Sequence, residues 1–188
     1  MSPWARNKAP LSRSRRARGF TLIELIVVVI IIAVLAGAAL QRYPVYQELA
    51  EKAAMEAALR MVKTGLQIRL AELIIGNRQA EAGVLERSDP MQWLADKPAN
   101  YGGDYRRPAR RGSWYYDAAR AELVYAVNNG QFLDIAATDG VKELRFKTRL
   151  LRDVVNFGGT TTGSVTGVTI VPVTPYNWPR PEAAGILA

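Results

Sequence analysis

Residues 18–25 read RGFTLIEL, and residues 26–40 continue IVVVIIIAVLAGAAL. From Leu25 to Leu40 the run is apolar and uncharged, and with Phe20 to Glu24 it covers 21 residues. A bilayer crossing takes about 20 residues of helix. The run is rich in β-branched residues, but in lipid only a helix or a closed barrel satisfies the backbone, so a single run of this length is expected to be helical. Arginines crowd the N-terminal side, at positions 13, 15, 16 and 18, against Arg42 alone just beyond the other end. The positive-inside bias then keeps the N terminus cytoplasmic and places the rest of the chain across the membrane.

The charge of the chain sorts the same way. The formal net charge is +8, an apparent pointer to nucleic acid. Yet residues 1–19 hold Arg6, Lys8, Arg13, Arg15, Arg16 and Arg18 with no acid, and the remainder carries 19 basic against 17 acidic residues. The basicity belongs mainly to the N-terminal segment. The chain has no Cys and no His. That excludes disulfides, Cys or His metal sites and imidazole-dependent triads. No nucleophile motif or phosphate-binding loop is present, so an enzyme is not expected.

An ordinary secretory signal has a shorter apolar core, about 7–15 residues, followed by a small-x-small cleavage site. The small residues Ala36, Ala38 and Ala39 offer such a site, but the core is too long. A plain signal anchor fits the length. Neither accounts for Glu24, since an acid within an apolar span costs up to about 3 kcal/mol at mid-bilayer and marks a functional position.

The basic leader, Gly19, Phe20 and the acid four residues beyond it resemble the processing motif of type IV pilins and type II secretion pseudopilins. The resemblance implies cleavage between Gly19 and Phe20 by a prepilin peptidase, with N-methylation of Phe20 and retention of the apolar segment. It implies that Glu24 meets the terminal amine of a neighbouring subunit during assembly, an attraction strengthened by low dielectric. Implied partners are the peptidase, other pilin or pseudopilin subunits and the inner-membrane assembly machinery. The implied location is the inner membrane, crossed once, with the C-terminal domain periplasmic and the filament in the periplasm or at the cell surface. Family members often carry a proline where Gln41 stands. Many major pilins close their C-terminal region with a disulfide that this chain cannot form. These departures favour a minor pilin or pseudopilin, or a divergent major subunit. A filament subunit is the leading function, and a tip or priming subunit with a ligand- or DNA-binding role is the alternative.

Beyond the span, Leu59, Val62, Leu66, Leu70 and Leu73 form an apolar stripe, with Glu51, Lys52, Glu56, Arg60, Lys63, Arg69 and Glu72 between them. This predicts the amphipathic half of a long helix ending near Gly76-Asn77. Pro44 predicts a kink or short unwound segment. Asp89-Pro90 predicts a capped short helix. Residues 97–112 read as a surface loop. Strands are expected over 113–116, 122–127, 131–136, 144–150 and 165–173, with turns at Asn128-Asn129-Gly130 and Asp139-Gly140 and a loop over Gly158-Gly159 and the threonines after them. The tail from Pro175 to Pro181 is expected to be irregular.

The organisation that follows is a leader (1–19), a transmembrane or filament-core helix (20–43), its amphipathic second half (44–76), an αβ-loop region with a short helix (77–112), and a sheet with a tail (113–188). The fold class is α+β and pilin-like, a long N-terminal helix packed on an antiparallel sheet of about four strands. Arg106, Arg107, Arg110 and Arg111 lie among Tyr101, Tyr105, Trp114, Tyr115 and Tyr116. That is a composition able to stack on and pair with single-stranded nucleic acid. A solvated loop beside a strand with core aromatics explains it more simply, so nucleic acid is not an expected partner. After Asp153 the only acid is Glu182. A calcium site takes six to eight oxygens, usually with several carboxylates, so neither metal nor cofactor is expected.

Overall fold

The computed structural model describes residues 20–157 and 160–179. The leader with Gly19, the Gly158-Gly159 pair and the end of the tail lie outside the described residues. The chain divides into two compact units, residues 1–41 and 42–188. Helix α1, Leu22–Ile75, contributes its first turns to one and the remainder to the other.

Thr21 starts α1: its hydroxyl oxygen accepts the Glu24 N–H at 3.3 Å, and its carbonyl accepts the Leu25 N–H. Thr-x-x-Glu at a helix start is the capping-box pattern. The helix then runs through Pro44 without the short unwound segment that was one of the two outcomes expected there. Proline removes one intrahelical hydrogen bond, and here the regular turns on either side carry the helix past it. The end of α1 is set by Asn77, which takes φ 57°. Arg78 N–H reaches Leu73 O at 2.7 Å and Asn77 N–H reaches Ile74 O at 3.0 Å, the paired bonds of a Schellman motif.

In the second unit α1 buries a stripe, Met55, Ala58, Val62, Leu66, Leu70 and Leu73, at spacings of three and four. Leu59, expected on that stripe, is only partly buried. The stripe packs on Trp114, Leu123, Tyr125, Leu144, Phe146, Leu150 and Val168 of the sheet. Trp114 touches the rings of Tyr125 and Phe146, with centroids 4.7 and 6.0 Å away.

The sheet has six strands, β1 (Tyr101–Asp104), β2 (Ser113–Asp117), β3 (Glu122–Ala126), β4 (Ala137–Thr138), β5 (Val141–Phe157) and β6 (Thr160–Pro172). Its order is β1-β2-β3-β5-β4, and β6 pairs with β5. The architecture is α+β and pilin-like as expected, but the sheet is larger than four strands and mixed, because β1 runs parallel to β2. β1 occupies part of the expected 97–112 loop. Its Gly102 and Gly103 show no alternation to read, and a Cβ at Gly102 would stand 2.4 Å from the Tyr115 ring. Glycine there permits a close approach that no pattern of side chains announces.

The expected strand over 131–136 does not form; Asp134 makes only an isolated bridge to Asn177. The N–H groups of Gln131 and Phe132 are taken by Glu48 of α1 and are withdrawn from any ladder. Thr160, Thr161 and Thr162 belong to β6 rather than to a loop, paired with Phe157, Asn156 and Val155. Asp139 and Gly140, at φ 51° and 74°, make the turn between β4 and β5, the two positive angles of a type I′ hairpin. Between α1 and the sheet lie two 3-10 helices. Gln79–Glu86 has no counterpart among the expected elements. Pro90–Trp93 is capped as the sequence predicts, the Asp89 carboxylate accepting the Met91 N–H at 2.9 Å.

Candidate functional site

The first unit presents an apolar rod. Leu22–Leu40 has a mean hydropathy of 3.0, none of its residues is buried among the described residues, and it is long and apolar enough to cross a membrane. So large an exposed apolar surface requires lipid or another protein against it. Phe20 stands at its start, 76% exposed. Glu24 lies in the first turn, where the unpaired N–H groups make the helix end partly positive and favour a carboxylate. Glu24 is therefore part of a capped start in addition to any intermolecular role. The Thr21-x-x-Glu24 spacing was the sequence signal for that cap.

In the second unit two of the four arginines singled out by sequence, Arg107 and Arg111, are drawn by their side chains into hydrogen bonds. Arg107 donates from Nε to Tyr105 Oη at 2.8 Å and pairs with Asp139 at 3.1 Å. Arg111 donates to the Gly140 carbonyl at 2.8 Å. The Arg110 backbone N–H donates to Tyr115 Oη at 3.0 Å. Arg106 is exposed. Trp114 and Tyr116 are buried, and the Tyr116 and Tyr101 hydroxyls donate to Arg87 O and the Asp89 carboxylate, both at 2.6 Å. The arginine-aromatic composition is thus spread between the core and a loop stitched to the β4–β5 turn.

The strongest charge cluster centres on a residue the sequence did not mark. Arg145 on β5 donates to Asp117, Glu122 and Glu143 at 3.1, 3.0 and 3.1 Å, and its guanidinium lies 5.0 Å from the centre of the Tyr105 ring. Burial disfavours the Arg145 charge, but the three carboxylates outweigh it and raise its pKa. Strand register explains the meeting: Glu122 ends the β2–β3 hairpin opposite Asp117, and Arg145 lies across from Val124. Such a grouping of one base with three acids, held by neighbouring strands, orders the sheet face opposite α1.

A second unmarked feature joins α1 to the loop before β4 and to the tail. Glu48 is buried and accepts from Gln131 N, Phe132 N and Trp178 Nε1 at 3.0, 2.9 and 2.8 Å. Glu51, expected on the charged outer face, accepts from Tyr125 Oη, Asn128 N and Asn129 N at 3.0, 2.6 and 2.7 Å. Lys52 donates to the Trp178 carbonyl. A signal for Glu48 existed: it stands seven residues before Met55 and fourteen before Val62, in line with the buried stripe. Among the described residues no group of three or more acids is placed to hold a metal ion.

Residues 14–40 match the family model of the prokaryotic N-terminal methylation motif. Comparison with curated proteins and with solved structures returns no match. The motif, the capped helix start and the apolar span together give this chain the N-terminal signature of the type IV pilins and pseudopilins.

Proposed function

We propose that the chain is a structural subunit of a type IV pilus-like or type II secretion pseudopilus filament. The observation that supports this reading is the methylation motif over residues 14–40, whose apolar helix has no buried residue among the described residues. Prepilin peptidase cuts between Gly19 and Phe20 and methylates the new amine. The retained helix anchors the subunit in the inner membrane, with residues beyond it in the periplasm, until it is drawn into a filament. There the Glu24 carboxylate meets the Phe20 amine of a neighbouring copy or a related subunit, and the pair sets register. An isolated charge in an apolar surrounding is costly, so removing one partner penalises the other.

Mass spectrometry of the mature protein tests the processing step. A chain beginning at Phe20 and carrying one methyl group is the expected result; a terminus after Ala39, or an intact Met1, would sink the proposal. The assembly step has its own readout. Glu24→Ala is expected to be cut normally yet to be depleted from sheared filaments, and undiminished incorporation would remove Glu24 from assembly.

A further inference from the structure

The structure assigns an oxyanion site, fitted to the phosphoryl group of a small soluble phosphate monoester, to the notch where β3 stops short alongside β5. The inference does not rest on the filament reading.

The notch follows from the sheet register. Val127 N–H donates to Lys142 O at 2.8 Å, and the ladder runs on to Leu123 opposite Phe146. Hydrogen-bonded and non-bonded pairs alternate in an antiparallel ladder, so even-numbered residues of β5 aim N–H and C=O toward β3. β3 begins only at Glu122, and Ala121 before it turns away at φ 52°. Thr148 and Leu150 therefore point backbone groups into space that no strand fills among the described residues. At Leu150 a carboxylate fills it: Glu86 accepts the Leu150 N–H at 2.9 Å and an Arg152 N–H at 3.3 Å. The chain itself thus shows what this edge receives, an oxyanion with one oxygen on a backbone N–H and the other on a guanidinium. Two residues earlier the same position stands open. Thr148 is only 6% exposed, and its N–H meets no acceptor among the described residues.

The charge around that N–H is unbalanced. A cleft of ≈ 540 Å³ is lined there by Arg87, Lys147, Arg149 and Arg152 against one acid, Glu86. Glu86 pairs with Arg152. Asp117, Glu122 and Glu143 are held by Arg145. Arg87, Lys147 and Arg149 are left with no ion pair among the described residues. The backbone of Arg87 is fixed, its N–H on Val84 O at 3.1 Å and its carbonyl accepting the Tyr116 hydroxyl at 2.6 Å, while its side chain is exposed. Like charges gathered in one cleft repel, and an anion between them removes that repulsion and gains charge-assisted hydrogen bonds. A carboxylate brings one charge and two acceptor oxygens. A phosphate monoester brings about −1.5 to −2 charges near pH 7 and three acceptor oxygens, the closer match to three cations and an amide. Guanidinium forks and an ammonium group both suit phosphate.

The test uses the full chain in a non-ionic detergent, with equilibrium dialysis against labelled inorganic phosphate at low salt. Saturable binding is expected, displaced by glycerol phosphate and not by acetate. Arg87→Gln, Lys147→Gln and Arg149→Gln are each expected to weaken it about tenfold, the loss of one charge-assisted hydrogen bond. Glu86→Gln keeps an acceptor for the Leu150 N–H but removes the one acid lining the cleft. It is expected to tighten binding several-fold, a gain that a misfolded variant cannot give. Arg106→Gln, at an exposed arginine outside the cleft, is expected to leave binding unchanged. Equal weakening by Arg106→Gln, or equal displacement by acetate, would reveal a general attraction to basic residues and overturn the proposal. So would binding that does not saturate, or weaker binding by Glu86→Gln. Displacement by soluble short-chain phosphatidic acid but not by glycerol phosphate would overturn it in favour of a lipid headgroup.

Discussion

Two glutamates on α1 show how one residue type serves two different surroundings along a single helix. Glu24 sits on an exposed apolar rod, and Glu48 is buried beneath the loop before β4. Glu48 accepts three hydrogen bonds, from two backbone amides and an indole. Its removal strands those donors away from water, and each stranded group is costlier than a lost bond alone. Glu48→Ala is therefore expected to destabilise the fold by about 3 kcal/mol, at the upper end for buried unpaired groups. Urea denaturation followed by tryptophan fluorescence checks it, because Trp178 loses its partner in the same step. A shift below about 0.5 kcal/mol, the size of an ordinary surface substitution, would show that the cradle contributes little.

At the scale of elements, the packing of α1 against the second 3-10 helix depends on a missing side chain. A Cβ at Gly65 would lie 2.8 Å from the Trp93 carbonyl oxygen, which is backbone and cannot swing aside. In a helix, Gly→Ala ordinarily gains about 1 kcal/mol. Overpacking against a fixed neighbour costs about 1–3 kcal/mol, so the clash wins. Gly65→Ala is expected to lower the thermal midpoint, with the loss relieved when the Pro90–Trp93 turn is allowed to shift in an Asp89→Ala background. That turn is fixed by the Asp89 carboxylate, which accepts both the Met91 N–H and the Tyr101 hydroxyl. A raised midpoint for Gly65→Ala alone would show that helix propensity dominates at this site.

For the molecule as a whole, buried phenols set the alkaline limit. Burial raises the pKa of Tyr101, Tyr116, Tyr125 and Tyr176, and a neighbouring carboxylate adds to it in each: Asp89 for Tyr101 and Tyr116, Glu51 for Tyr125 and Glu56 for Tyr176. An unfolded tyrosine ionises near pH 10. Above that point the unfolded chain holds fewer protons than the folded one, so stability, complete below about pH 10, falls as pH rises. Denaturant midpoints measured from about pH 8 to about pH 11 are expected to decline, and Tyr125→Phe to decline less steeply. Equal slopes for the two proteins would remove Tyr125 from the effect.

The N-terminal signature is legible along the chain without any fold. Gly19, Phe20, Glu24 and the run to Leu40 are contiguous, and a local motif on a single helix needs no distant contact to be read. The helix stripe, the Asp89 cap, the Asp139-Gly140 turn and the cores of β2, β3, β5 and β6 were legible for the same reason, since periodicity and turn chemistry are local. Tertiary structure alone decided the rest. β1 exists because Gly102 lets the chain approach Tyr115. The 131–136 strand fails because Glu48, some 83 residues away in sequence, takes its amide hydrogens. Arg145 collects three acids only once strand register brings them together. The common reason is that a hydrogen bond or close contact between distant residues leaves no period in the sequence, and it becomes visible only when the backbone that carries both partners is folded.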